Sequence, residues 1–258
     1  MAAAAGRPAH IGVDRLTMAF GPRVLQADLT FTIRKGDVFV IMGGSRTGKS
    51  TLLRHLVGLQ QPASGSVSFQ GQSFWDAAPA EQQALQRRFG VMYQQGALWT
   101  SMTLAENVSL PLAVYTGLDA ATIADLAAFK LALVGLAGAG DYYPSEISGG
   151  MRKRAAIARA MALDPEVLFL DEPSAGLDPI SSRLLDDLIL ELRQSLGMTI
   201  VIVTHELASI FTVGDNSVFL DAETRTMIAT GHPRWLLEHS DHQRVRAFLT
   251  RGGEAKPA

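Results

Sequence analysis

Short apolar runs alternate along the chain with stretches of helical period. Asp37–Met42 (DVFVIM) is an unbroken apolar run after one acid, which predicts a strand buried on both faces. A glycine-rich turn follows it, and then a helix is expected over Lys49–Leu59. Val167–Leu170 predicts a second buried strand, ending on Asp171 and Glu172. Ile180–Leu196 has the period of an amphipathic helix. Thr199–Thr204 (TIVIVT) is β-branched throughout and too short for a core helix, so it reads as a third strand, with a fourth expected at Ser217–Asp221. Strands alternating with helices predict an α/β fold with a mainly parallel sheet.

Two regions break this rhythm. Ile11–Arg34 and Gly65–Phe74 read as short antiparallel strands joined by turns, a small β subdomain. Thr103–Tyr143 is rich in Ala and Leu without strand signals, and reads as a helical insertion. Near the end, Pro233–Glu238 and Asp241–Leu249 predict two short helices, with Pro233 in a first turn and Asp241 as N-cap. Val245, Phe248 and Leu249 form one apolar stripe, and Trp235, Leu236 and Leu237 offer a second patch. These helices either fold back on their own core or clasp a partner, and Gly252–Ala258 reads as a polar tail. The expected organisation is one domain over 1–231, a helical insertion at about 97–150 and a C-terminal helical tail over 232–258.

Composition narrows the function. With 47% hydrophobic and 19% charged residues in 258, a sizeable core is affordable. A net charge of -2 argues against a dedicated nucleic-acid binder, which would carry a basic face. The absence of cysteine excludes disulfides and thiolate metal sites and fits a reducing compartment. Met1–His10 lacks the apolar segment of a signal peptide, and no run reaches the roughly 20 apolar residues of a membrane helix. Any service to a membrane is therefore expected to be peripheral.

Three constellations carry chemistry. Gly43-Gly44-Ser45-Arg46-Thr47-Gly48-Lys49-Ser50-Thr51 contains G-x-x-x-x-G-K-[ST] between a strand and a helix. Glycines let backbone N–H groups close around phosphate oxygens, Lys49 reaches the β- and γ-phosphates, and Ser50 is placed for Mg²⁺. Asp171 and Glu172 end a parallel strand, where ligands collect. Asp171 suits Mg²⁺ directly or through water, and adjacent Glu172, pointing elsewhere, suits the polarising of an attacking water. Ser148-Gly149-Gly150 precedes a helix over Arg152–Leu163, with Ser148 as N-cap. That is either a second phosphate-binding helix end or an ordinary capped helix; two anion sites for one γ-phosphate make sense if two copies hold each nucleotide between them.

Ser148-Gly149-Gly150, then the strand ending in Asp171-Glu172-Pro173, then Ser174-Ala175-Gly176-Leu177-Asp178, then Val203-Thr204-His205, resemble the nucleotide-binding subunit of ABC transporters. The resemblance covers Ile11 to Gly231 and implies a P-loop (RecA-like) core, ATP and Mg²⁺ as ligands, and hydrolysis in a sandwich of two copies. It implies further roles. Phe20 matches the aromatic that stacks on adenine, although a core Phe is the plain alternative. Gln94 matches the glutamine that meets Mg²⁺ and water, with Gln95 adjacent and the assignment open by one residue. Asp178 matches the aspartate that signals across the dimer, and His205 the histidine that contacts the γ-phosphate. Arg46 departs from the pattern, standing where most members carry Gly; its cationic side chain must point outward, where it either adds a contact to phosphate or to the partner subunit or is merely tolerated.

Gln94-Gln95-Gly96-Ala97-Leu98-Trp99 and Ile147-Ser148-Gly149-Gly150-Met151-Arg152-Lys153-Arg154 resemble the Mla-type, MCE-associated lipid transporter ATPases. Of the three basic residues after Met151, two read as a solvated helix face. The resemblance implies phospholipid traffic between inner and outer membranes, or the related actinobacterial lipid or sterol uptake, powered from the cytoplasmic face of the bacterial inner membrane. Implied partners are a second copy, an integral permease, an MCE-domain lipid-binding protein and a small STAS-domain protein, with no nucleic acid. Rival expectations are an ABC ATPase for another cargo, a soluble ABC protein of DNA repair or translation, and a nucleotide sensor that barely hydrolyses.

Overall fold

A computed structural model describes residues 6–250; the polar tail read at Gly252–Ala258 lies outside them. The central sheet has six strands in the order β10-β9-β3-β8-β7-β6. Its members are β3 (Val38–Gly43), β6 (Phe89–Met92), β7 (Val167–Asp171), β8 (Thr199–Val203), β9 (Asn216–Leu220) and β10 (Met227–Gly231). All neighbours pair in parallel except β10, which runs antiparallel to β9 at the edge. The second sheet, β2-β1-β4-β5, is antiparallel. Its strands β1 (Ala9–Phe20) and β2 (Arg23–Arg34) form one long hairpin rather than short pieces, continued by β4 (Ser64–Phe69) and β5 (Gln72–Ser73). The fold is thus α/β with a mainly parallel core sheet and a separate antiparallel sheet.

The strands of the core explain their own apolar runs. Every residue of β3, β7 and β8 is buried, because a parallel sheet is covered on both faces. Side chains alternate between the two covers. Leu168, Leu170, Ile200 and Ile202 join a layer of helices. Val167, Phe169, Val201 and Val203 pack instead with α1 (Lys49–Leu56) and the antiparallel sheet. The helical layer contains α3 (Leu104–Tyr115), α4 (Ala120–Leu133), α5 (Gly149–Ala160) and α6 (Pro179–Leu196). Thr103 caps α3 and Asp119 caps α4, each accepting first-turn N–H groups.

Sequence periodicity left several elements unread: α2 (Pro79–Gln86), β6, α7 (Leu207–Val213) and β10. Each is short, and β6 contains Gly90, which weakens a strand signal. Gly90 is needed because a Cβ there would lie 2.3 Å from the Ala160 carbonyl.

The last two helices, α8 (Pro233–His239) and α9 (Gln243–Leu249), fold onto the chain's own core. Leu236, Val245 and Leu249 are buried against Val40, Met42, Ile210 and Phe219, and Phe248 meets Phe219 edge-on at 5.3 Å. Pro233 opens α8 as its spacing predicts. The cap of α9 is His242, not Asp241, and makes no side-chain capping bond. Arg244 bonds Asp221 at 2.5 Å across this contact.

One buried acid couples pH to stability. Asp186 on α6 is 4% exposed and accepts from Ser209 Oγ of α7 at 3.0 Å. Burial raises its pKa to about 6 against the opposing Ser209 bond, with the Asp187 charge adding to the rise. A folded pKa above the ordinary carboxylate value means that this group favours the fold at low pH, and that the contribution is lost as pH rises through about 6. Asp186 lines a cleft with Ser182 and Glu206, so solvent screens part of the cost. Asp186→Asn keeps an acceptor for Ser209 and removes the charge. It is expected to raise Tm at pH 8 by about 2–4 °C, the equivalent of about 1 kcal/mol, and to give roughly half that gain at pH 5, which lies between the unfolded and folded pKa values. Thermal melts at the two pH values check this; a gain of equal size at both would refute it.

Candidate functional site

The site forms where β3, β7 and β8 end together. The loop after β3 runs from Gly43 to Gly48, and both end residues need glycine. Gly43 has φ 147°, and a Cβ there would lie 2.4 Å from the Leu220 carbonyl. Gly48 has φ 91° and would strike Leu25 at 2.7 Å. Gly48 also opens α1 without any side-chain capping bond, and no acid occupies the first turn. The N-terminal amides and the helix dipole are therefore left for an anion. Thr47 is buried beneath the loop, its hydroxyl on the Gly44 carbonyl at 3.0 Å and its own carbonyl held by Gln26. Lys49 Nζ donates to the Gly43 and Gly44 carbonyls at 3.0 and 2.9 Å, at the centre of the cradle. Burial lowers its pKa, and the Glu172 and Asp171 charges oppose that.

The alternation of β7 decides how its two acids diverge. Asp171 continues the face of Val167 and Phe169, toward α1, and accepts from Ser50 Oγ at 3.0 Å. Burial raises the Asp171 pKa, with the Ser50 bond opposing and Glu172 adding to the rise. A hydroxyl and a carboxylate side by side, at the foot of a phosphate cradle, form a hard oxygen set that suits Mg²⁺. Glu172 turns away in the left-handed region, φ 49°. Its Oε1 lies within hydrogen-bond distance of His205 Nδ1, at 2.8 Å. Glu172 Oε2 is buried with no hydrogen-bond partner. Glu172 borders the same cleft as Lys49 and Ser50, where a carboxylate suits the holding of a water.

A cleft of about 720 Å³ joins these groups. Gly43, Gly44, Ser45, Arg46, Gly48, Lys49, Ser50, Thr51, Gln94, Glu172 and His205 all line it. Of the two adjacent glutamines, Gln94 lines the cleft and Gln95 does not. Arg46 is exposed, as its size requires, but its φ is 65°. Left-handed backbone favours glycine, which accounts for the usual Gly at this position.

Not every candidate gathers here. Phe20 sits at the β1–β2 turn, 53% exposed and outside the cleft wall. Ser148, Gly149 and Gly150 also lie outside it. Ser148 caps α5 by accepting from Met151 N at 3.2 Å, and the next two residues are half-buried glycines. Asp178 caps α6, accepting from Ile180 and Ser181 amides at 3.0 Å and from Ser181 Oγ at 2.5 Å. These bonds hold its carboxyl below the usual range, the Ser181 hydroxyl first.

Sequence reasoning missed three wall residues and one buried cation. Leu207 of α7 and Ala247 and Phe248 of α9 line the cleft; no local signal places a C-terminal helix there. Lys153, within the basic run after Met151, is buried, while Arg152 is exposed. Its signal was present: Ala156 and Ile157, three and four residues on, mark the buried face of α5.

The chain is similar in sequence and fold to known proteins. The ABC transporter family model matches residues 26–175. A relative from Mycobacterium bovis, named a probable ribonucleotide transport ATP-binding protein, mkl, is 42% identical over 93% of this chain. The chain spans 66% of that relative's length. The intermembrane phospholipid transport system ATP-binding protein MlaF of Haemophilus influenzae is 37% identical, covering 93% of this chain and 89% of its own. Among solved structures, cbiO1 of Clostridium perfringens, part of an ABC transporter complex, superposes with a TM-score of 0.82 at 27% identity over 91% of this chain and 93% of its own. The ATP-binding cassette MJ0796, a dimer bound to ADP and Pi, gives 0.77 at 26% identity, covering 86% and 98%. With the family model matching 150 contiguous residues and relatives above 30% identity across nine-tenths of its length, this chain belongs to the ABC transporter family as an ATP-binding cassette, with Mla-type ATPases among its relatives.

Proposed function

We propose that the chain binds ATP with Mg²⁺ in this cleft and hydrolyses the γ-phosphate to drive lipid transport, with phospholipid as the cargo. The carrying observation is Glu172, anchored through Oε1 to His205 while Oε2 stays buried and unpartnered. The Gly43–Gly48 loop and the first turn of α1 bind the phosphates, and Lys49 spans the β- and γ-oxygens. Ser50 and Asp171 would hold Mg²⁺, and Gln94, which lines the same cleft, would be a further ligand. The bound cation neutralises charge that develops on the transferring phosphoryl oxygens. Glu172 Oε2 accepts the proton of a water aimed at the γ-phosphorus, and His205 keeps the carboxylate in place and contacts the γ-phosphate. Phe20 presents its ring face to adenine.

One chain leaves this site open. Ser148, Gly149 and Gly150 stand apart from the cleft of their own copy, which supports a two-fold pair in which each α5 N-terminus closes the partner's nucleotide and Asp178 lies at the seam. No helix among the described residues is long and apolar enough to cross a membrane. Transport then requires a separate permease, with the chain at the cytoplasmic face of an inner membrane. An MCE-domain protein and a STAS-domain protein complete the proposed assembly. The names of the MlaF relatives and the Gln94–Trp99 and Ile147–Arg154 segments support phospholipid; the mkl relatives carry ribonucleotide transport in theirs. A pull-down from membranes in mild detergent, with analysis of what comes along, separates the two. A permease with an MCE-domain protein and phospholipid is expected. A permease without lipid that binds ribonucleotides would reject the cargo while leaving the ATPase reading intact.

A further inference from the structure

Lys153 is a buried ammonium with no carboxylate bonded to it. It lies on α5, five residues after the Ser148 cap, and is 9% exposed. Its Nζ donates to the backbone carbonyl of Gln94 and, at 3.3 Å, to that of Glu172. Burial lowers its pKa, and the Glu172 and Asp171 charges oppose that. A charge so placed is costly unless its donors are satisfied, and here both acceptors belong to residues of the proposed hydrolytic site.

One anchored residue, Glu172, and the loop that follows the other enter left-handed backbone. Glu172 has φ 49°, in the left-handed region that a non-glycine residue adopts only at a cost. It is held there at both ends, its N–H on the Val203 carbonyl at 2.8 Å and its C=O on Lys153. The Gln94 loop carries Gly96 at φ 76° and Ala97 at φ 50°. It too is gripped from α5: Arg159 donates to the Gly96 and Ala97 carbonyls at 2.8 and 2.6 Å. Two cations of one helix therefore clamp the loop that presents Gln94, and the first of them also holds Glu172.

We infer that Lys153 is a positioning residue that joins α5 to the Gln94 loop and to Glu172 as one unit, so that the seating of the Ser148 end of α5 sets the orientation of the water-polarising carboxylate. It is not among the residues that line the cleft. The inference rests on the hydrolytic reading given above. Removing the ammonium frees the Glu172 peptide to leave the left-handed region, which swings the carboxylate off His205, while the phosphate cradle keeps all its own bonds.

The test compares Lys153→Met, Lys153→Gln and Lys153→Arg in steady-state ATP turnover, with fluorescent-ATP binding and thermal melts alongside. Lys153→Met is expected to lower kcat by about 10- to 100-fold with KM within about threefold. Lys153→Arg, whose guanidinium can donate to both carbonyls, is expected to restore turnover to within about threefold of the parent. Lys153→Gln keeps a polar head but lacks the reach and charge to span both carbonyls, and is expected to lose kcat without losing its melting transition. Should the Met variant fail to fold, the Gln variant decides. Parental kcat in a folded Met or Gln variant overturns the inference, as does a loss that falls on KM and nucleotide binding alone. A parent protein that does not hydrolyse ATP would instead overturn the functional reading.

Discussion

Glu172→Gln is expected to bind ATP as tightly as the parent and to hydrolyse it at least about 100-fold more slowly, the usual contribution of a positioned general base. The amide is isosteric and still pairs with His205 Nδ1 through its carbonyl oxygen, so the contact seen at 2.8 Å survives. What disappears is the second carboxylate oxygen, buried and unpartnered in the parent. An amide nitrogen in that position donates, and cannot take a proton from water. Nothing in the phosphate cradle or in the Ser50–Asp171 pair is altered. Loss should therefore fall on kcat, with ATP trapped before chemistry. Single-turnover hydrolysis and fluorescent-ATP binding check it; turnover near the parental rate would remove Glu172 from the base role.

The second large effect concerns sharing of sites. Lys49→Ala removes the ammonium at the centre of the cradle and is expected to weaken ATP binding and turnover together. Ser148→Arg leaves the cradle intact but places a long side chain at the cap of α5. It is expected to bind ATP as a monomer and to lose turnover by about 100-fold, as removal of a phosphate-binding helix end in a composite site should. Mixing the two inactive proteins makes dimers with one intact composite site and one doubly broken site. About half of the dimers are mixed, so independent sites would restore about a quarter of the parental rate. Crosslinking gives the sharper readout. ATP should drive Glu172→Gln into dimers, and Ser148→Arg in that background should abolish them. A Glu172→Gln protein that stays monomeric with ATP bound would reject the sandwich.

Much of this site is legible in one dimension because it is built from local chemistry. The cradle reads from Gly43, Gly48, Lys49 and Ser50, since a tight phosphate loop needs glycines at fixed offsets and a helix directly behind it. Asp171 and Glu172 read from the apolar strand before them. Ser148 reads as an N-cap because capping is a matter of a few adjacent residues, and the structure places its bond on Met151 N. Asp241 shows the limit of the same rule: a cap-type residue one position away from the observed His242 cap changes nothing in the helix, which is held by Val245 and Leu249 against the core. Arg46 shows another limit. Its charge drew attention in sequence, but its feature in the fold is a backbone angle of 65°, which side-chain identity does not announce.

The sequence by itself determined the class of the fold, the phosphate loop, the paired acids and the family resemblance, because periodicity, turn chemistry and capping each depend on neighbours within a few residues. Only the tertiary structure decided which glutamine faces the cleft, that Phe248 of the last helix walls it, and that Lys153 in a basic run is buried beneath Gln94 and Glu172. Those facts join residues separated by scores of positions along the chain. Burial of a charge, the seating of a C-terminal helix and the pairing of Glu172 with His205 arise only when parallel strands bring their C-terminal ends to one edge, and no local pattern encodes where that edge closes.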